Sequence, residues 1–200
     1  MGDTSVPVTA GAGTLLHSWS KTISAATVHD EFTLPGEMPY PTYTVSATGV
    51  SSATGLSHMM QVMAGGALNV RIRKIRVAQL VAPAGVNTVE LSLVRLTTAG
   101  TGGGAVTARP FDTAAAAAGA SGMTLPTAKG IEGTVLWIQS FWVGTAAIPV
   151  LGLWDWTQLP NDQAIIIPAG AANGFAIKNT SALATATFTI AVEFTETNFV

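Results

Sequence analysis

The chain contains no cysteine, and only 10% of its 200 residues carry charge. The first absence excludes a disulfide framework, a thiolate metal site and a cysteine nucleophile. The second sets it apart from an ordinary soluble domain, in which roughly 25% of residues are charged. Histidine is also scarce: His17, His29 and His58 all precede Met59, and no two have the spacing of a metal-binding pair. His29-Asp30-Glu31 is contiguous, which is poor geometry for a proton relay in an extended segment. There is no Gly-x-Ser-x-Gly elbow, no zinc-ligand spacing and no dinucleotide fingerprint. The carboxylate pairs Asp155 with Asp162 and Glu193 with Glu196 read as solvated or cross-strand groups, because nothing in the sequence brings either pair to one cleft. The chain therefore reads as a non-enzyme without a cofactor. A net charge of −2 and a pI near 5.8 supply no general attraction to nucleic acid or to an anionic membrane, and neither is expected as a partner.

What is present is apolar. Hydrophobic residues make up 48% of the chain and mean hydropathy is +0.43. Such a chain either covers itself with Thr, Ser, Ala and Gly or hides surface in partners, and large exposed apolar patches mark interfaces. Gly133 to Trp154 runs 22 residues without a charge, long enough to cross a bilayer. Gln139, Ser140, Gly144, Pro149 and Gly152 interrupt that run, and acidic Glu132 and Asp155 flank it where a span favours basic anchors. Two strands and a loop account for it better. Met1 to Pro7 has neither a basic segment nor a long apolar one, so no signal peptide is expected.

The organising stretch is residues 68–80. Leu68, Val70 and Ile72 alternate with Asn69, Arg71 and Arg73, the period of a strand with one buried face. After Lys74 the apolar residues are Ile75 and Val77, so the inward phase moves from even to odd positions. A regular strand cannot do this without exposing its core side chains, whereas a β-bulge near Arg73-Lys74 restores the phase with one extra residue. The expectation is a long, bent central strand carrying Arg71, Arg73, Lys74 and Arg76, paired with Glu90, Glu193 or another acidic neighbour.

Residues 1–41 are rich in Gly, Pro, Ser and Thr but contain Leu15, Leu16, Trp19, Ile23, Phe32 and Leu34, so they read as an extended N-terminal arm packed on its own domain or on a neighbour. Residues 42–200 read as one β-sandwich domain. Thr42 to Thr48 is the first strand. His58 to Met63 is a helical turn or a strand, with Met59, Met60 and Met63 filling the core. Val89, Leu91 and Leu93 alternate with Glu90 and Ser92, which suggests a hairpin with the long strand. Thr98 to Gly104 lacks the Gly-Lys-Ser/Thr of a phosphate loop and reads as a flexible hairpin or surface loop. The alanine tract 114–118, with Asp112 or Thr113 as cap, allows at most one short helix. Thr134 to Val143 is β-like, and Trp154 and Trp156 share a face if extended, either as filler at a core or interface or as a sugar-stacking platform. Ala164 to Ile167 reads as a fully buried strand and Phe175 to Asn179 as the next. Phe188, Ile190, Val192 and Phe194 define a last strand of nearly perfect alternation. Strands of this kind with turn signals about every ten residues indicate an all-β, antiparallel, jelly-roll-like sandwich.

Several segments resemble small virion proteins of tailed bacteriophages. They are Val70-Arg71-Ile72-Arg73-Lys74-Ile75-Arg76, Leu93 to Thr97 with the glycine-rich loop, Arg109-Pro110-Phe111-Asp112, Gly133-Thr134 with Phe141-Trp142, Ile167-Pro168-Ala169-Gly170, and Val192 to Glu196. The resemblance spans residues 68–196 and is closest in kind to jelly-roll head decoration, or cement, proteins. It implies a homotrimer located in the virion after synthesis in the host cytoplasm, with the major capsid protein as partner, bound over shell junctions against internal DNA pressure. Arg71, Arg73, Lys74, Arg76, Trp154 and Trp156 are the candidate partner or subunit interface. The alternative is a receptor- or carbohydrate-binding module of a tail fibre or baseplate, resting on Trp154 and Trp156.

Overall fold

The phase change in residues 68–80 has the structural outcome its pattern demands. In a computed structural model, which describes residues 18–23, 26–31, 40–52, 57–81, 87–143, 151–155, 164–181 and 186–198, strand β5 runs from Asn69 to Val81. Its partner β14 (Thr187–Thr197) pairs Glu193 with Lys74 and then Phe194 with Ile72, leaving Arg73 as the extra residue. Val70 and Ile72 before the bulge, and Ile75 and Val77 after it, are all buried. The chain thus keeps one face in the core although two residues, Arg73 and Lys74, separate Ile72 from Ile75 where a regular strand has one.

The chain divides into two units, residues 1–39 and 40–200. In the first, β1 (Ser18–Ile23) and β2 (Ala26–Glu31) pair as an antiparallel hairpin, so the arm holds regular structure that its weak periodicity did not announce.

In the second, β3 (Thr42–Ser51), β8 (Arg109–Pro110) and β11 (Leu151–Asp155) join β5 and β14 in one sheet ordered β11-β5-β14-β3-β8, with β12 (Ile166–Ile167) also beside β5. The other sheet is ordered β10-β6-β13-β4-β9-β7, built from β4 (His58–Met63), β6 (Asn87–Leu96), β7 (Gly104–Val106), β9 (Ser121–Thr124), β10 (Glu132–Val143) and β13 (Gly174–Asn179). Every pairing is antiparallel, and the two sheets pack as a β-sandwich. Phe188, Ile190, Val192 and Phe194 from one sheet meet Leu91, Leu93, Phe175 and Ile177 from the other in a single core. Met63, Val94, Leu96 and Ala176 form a smaller buried cluster, so β4, β6 and β13 have alternate positions buried as well.

Four expectations need correction. β5 and β6 do not form a hairpin: β5 is flanked by β14 on one side and by β11 and β12 on the other, and β6 belongs to the opposite sheet. Glu90 consequently has no basic partner across a hairpin, and its carboxylate accepts a 2.6 Å hydrogen bond from the Thr180 hydroxyl. Residues 164–167 are not a fully buried strand. Only Ile166 and Ile167 pair, and Ile165 and Ile166 are half-buried, because this short piece lies at the end of its sheet. The 98–104 loop is tied down, since Gly100 exchanges hydrogen bonds with the Gln61 side chain and Thr101 bridges to Ala128.

No helix occurs among the described residues. In the alanine tract, Asp112 Oδ1 accepts from Ala114 N–H at 2.9 Å, closing one turn. The tract is too short to propagate a helix, and its carbonyls are engaged elsewhere, with Tyr43 donating to Ala116 O at 3.1 Å. His58 to Met63, open between helical turn and strand, is strand β4, with all three methionines buried.

Candidate interaction surfaces

The bulge decides how β5 presents its charges. Ile72 and Ile75 point into the core, so Arg73 and Lys74 are two consecutive residues that both lie on the outer side, together with Arg71 and Arg76. Lys74 pairs with Asp155 at 2.9 Å across to β11, and Arg76 with Glu193 at 3.1 Å across to β14. Glu193 is one of the two partners named from the sequence, the other being Glu90. Asp155 reaches Lys74 because β11 places the two residues directly opposite. The same register row continues through Glu193 and Thr44 to Arg109 on β8. Arg71 and Arg109 are exposed and Arg73 half-exposed, and none of the three has an acidic partner among the described residues.

Trp154 stands opposite Ile75 and is only 6% exposed, inside the main core. It cannot offer a ring face to a sugar or a partner. Trp156 lies outside the described residues, so the stacking platform retains no described member. Of the candidate interface residues, the four basic ones share a surface and Trp154 belongs to the interior.

A second surface comes from strand β10. It ends its sheet, pairing with β6 on one side and with no strand on the other among the described residues. Register shifts between Glu132 and Val135 and between Val135 and Trp137 break its alternation, so apolar residues do not all find the core. Ile131, Val135, Trp137 and Ile138 remain 49–62% exposed. A long edge strand with exposed apolar side chains is a template for association. In sequence, the same run reads as strand, with no mark of which residues are exposed.

Two polar clusters, each built around a buried side chain, were not legible in the sequence. Glu132, at the start of β10, accepts from Lys178 Nζ at 2.6 Å and from His58 Nε2 at 3.1 Å, with Lys129 at 3.8 Å. Burial drives the His58 imidazole below its ordinary value, against the opposing pull of Glu132, and its Nδ1 has no partner among the described residues. Burial acts to raise the Glu132 carboxyl, but the hydrogen bonds from Lys178 and His58 outweigh it and hold the group below the usual range. Glu196 is buried at the far end of β14 and accepts from Gly119 N–H at 3.0 Å and Ala120 N–H at 2.6 Å. It lies close enough to Tyr43 that, after burial, its charge helps raise the tyrosine hydroxyl. Both oxygens of each carboxylate accept from a fixed donor, which suits tethering rather than proton transfer.

A cleft of about 740 Å³ opens where β6, β10, β12 and β13 meet, with Arg95, Thr97, Thr134 and Asn173 among its lining residues. Arg95 donates from Nη1 to Ile166 O at 2.9 Å, joining the two sheets. No nucleophile with an adjacent base lines it. Among the described residues no three of His, Cys, Asp and Glu gather as metal ligands. No family model, curated protein or solved structure matches the chain.

Proposed function

We propose that the chain is a bacteriophage virion structural protein, a homotrimeric capsid decoration (cement) protein that binds and stabilises the head shell, with the major capsid protein as partner. The observation that carries this reading is the group of exposed apolar residues at the open sheet edge, Ile131 just before β10 and Val135, Trp137 and Ile138 on it, which are suited to burial against another subunit. Strand order supports the jelly-roll form of the sandwich. In the sequence β3, β4, β5, β6, β10, β11, β13, β14, eight principal strands change sheet at every step except β6 to β10, which pair with each other. The arrangement β11-β5-β14-β3 against β10-β6-β13-β4 is what two interleaved Greek keys produce. Such a protein needs a rigid core and two contact surfaces rather than a reactive centre. The polar clusters around Glu132 and Glu196, which pin loops to strands, suit that requirement.

Mass photometry of the purified chain and co-sedimentation with phage heads test the proposal. The expected result is a trimer that sediments with heads, and a Trp137→Lys, Ile138→Asp variant that is monomeric with an unchanged circular dichroism spectrum. A monomeric wild-type chain that ignores heads would sink the proposal.

A further inference from the structure

We infer that the outer face of the β11-β5-β14-β3-β8 sheet is a docking surface for an acidic protein, anchored by Arg71, Arg73 and Arg109. The decoration reading enters only in identifying that protein as a shell subunit. The chain as a whole has a net charge of −2, yet this face gathers Arg71, Arg73, Lys74, Arg76 and Arg109, five of its nine basic residues. Only two described acidic residues, Asp155 and Glu193, accompany them, and these are already paired with Lys74 and Arg76. The remaining three guanidinium groups are uncommitted among the described residues.

Their spacing is set by the sheet. From β5 to β8 there are three inter-strand steps, about 14 Å at the usual strand separation. Arg71, whose row holds Thr195 and Thr42, lies one outward position beyond the bulge from the row of Lys74, Glu193, Thr44 and Arg109. Three planar donor forks held apart on a rigid surface fit separate carboxylates, which guanidinium binds bidentately. Duplex nucleic acid fits less well, because the fixed carboxylate of Glu193 lies on β14 between the β5 and β8 cations, with that of Asp155 beside Lys74 on β11, and both would face phosphates. The bulge is what makes this surface: without it, Arg73 and Lys74 would alternate between core and solvent.

The test compares the full chain with a variant carrying Arg71→Gln, Arg73→Gln and Arg109→Gln, with Arg109→Gln alone, and with Lys129→Gln, which matches the single variant in charge but lies outside the face. Each is titrated against immobilised poly-L-glutamate and against duplex DNA at matched, near-physiological salt. The expected result is binding of the wild type to poly-L-glutamate, about tenfold weaker in the triple variant, with Lys129→Gln unchanged. Because β5 threads the core, Arg109→Gln alone provides a second variant, expected to weaken binding about threefold. The inference is overturned by equal binding of the wild type and a folded triple or single variant, by an equal loss in Lys129→Gln, or by tighter wild-type binding to DNA than to poly-L-glutamate. Co-sedimentation with heads separates the two readings. A wild type that ignores heads but shows the poly-L-glutamate pattern removes the decoration proposal and leaves the basic face standing. A triple variant that sediments with heads as well as the wild type removes the basic face and leaves decoration standing.

Discussion

Removing one residue from β5 should have opposite consequences depending on which residue is removed. Deleting Arg73 brings Ile72 and Lys74 into sequence opposite Phe194 and Glu193, which are already adjacent on β14. The ladder becomes continuous, and Val70, Ile72, Ile75 and Val77 all keep their inward phase. What is lost is the local bend and the change of neighbour on the other side, where β12 pairs with Val70 and Arg71 and β11 takes over from Lys74. The expected cost is about 1–2 kcal/mol, an ordinary single-site effect. Deleting Arg71 closes the register with the wrong phase: with Val70 and Ile75 kept inward, Ile72 turns outward and Arg73 inward. Ile72 is fully buried, and losing its packing costs about 2–5 kcal/mol on the scale of large-to-small core changes. An inward, unpaired arginine adds several kcal/mol more, a total comparable to the whole stability of a typical domain. Urea unfolding followed by intrinsic tryptophan fluorescence, to which the buried Trp154 contributes, measures both variants. If the two deletions destabilise the protein within about 1 kcal/mol of each other, well inside the gap the phase argument demands, the assignment of Arg73 as the bulged residue is wrong.

Glu196→Gln should cost about 2–3 kcal/mol, since the amide keeps one acceptor oxygen for the Gly119 and Ala120 N–H groups and sets an NH2 donor against the other, and hydrogen exchange at those amides should accelerate. Acid should weaken the fold in two steps of the same sign. The unfolded chain protonates His58 near 6.5 while the folded chain resists it, so stability falls as pH drops below about 6.5. Glu132, held below its ordinary 4.5 when folded, adds a further loss as pH falls through that region. A His58→Gln variant should flatten the first step in a melting-temperature series, and an unchanged slope would show that His58 is not responsible. Gly103→Ala should destabilise by about 1–3 kcal/mol, because a Cβ there would overlap the Thr124 carbonyl oxygen; a neutral result in urea unfolding would mean the loop is free to yield.

Side-chain alternation is a local property of extended backbone, and the features that depend on it alone were legible in the sequence. They include the all-β class, the inward set of β14, the methionines as core and the bulge at Arg73-Lys74, whose only sequence trace is a change from even to odd apolar positions. Which strands become neighbours is decided by sheet packing over long separations, and periodicity carries no record of it. For that reason β5 and β6 look like a hairpin in sequence yet lie in opposite sheets. Glu132 draws its partners from positions 58, 129 and 178, and Glu196 from 119 and 120. The charge-free run beginning at Gly133 likewise reads only as strands and a loop, with no mark of which side chains meet water. Only the sheet order makes β10 an edge and leaves Val135, Trp137 and Ile138 facing water, while Trp154 from the same run fills the core beside Ile75. Sequence composition thus determined that this chain is a β-protein with surplus apolar surface and a basic central strand. Tertiary pairing alone decided where that surplus is displayed and which of the basic side chains remain uncommitted, because both follow from neighbours that the chain meets only after it has folded.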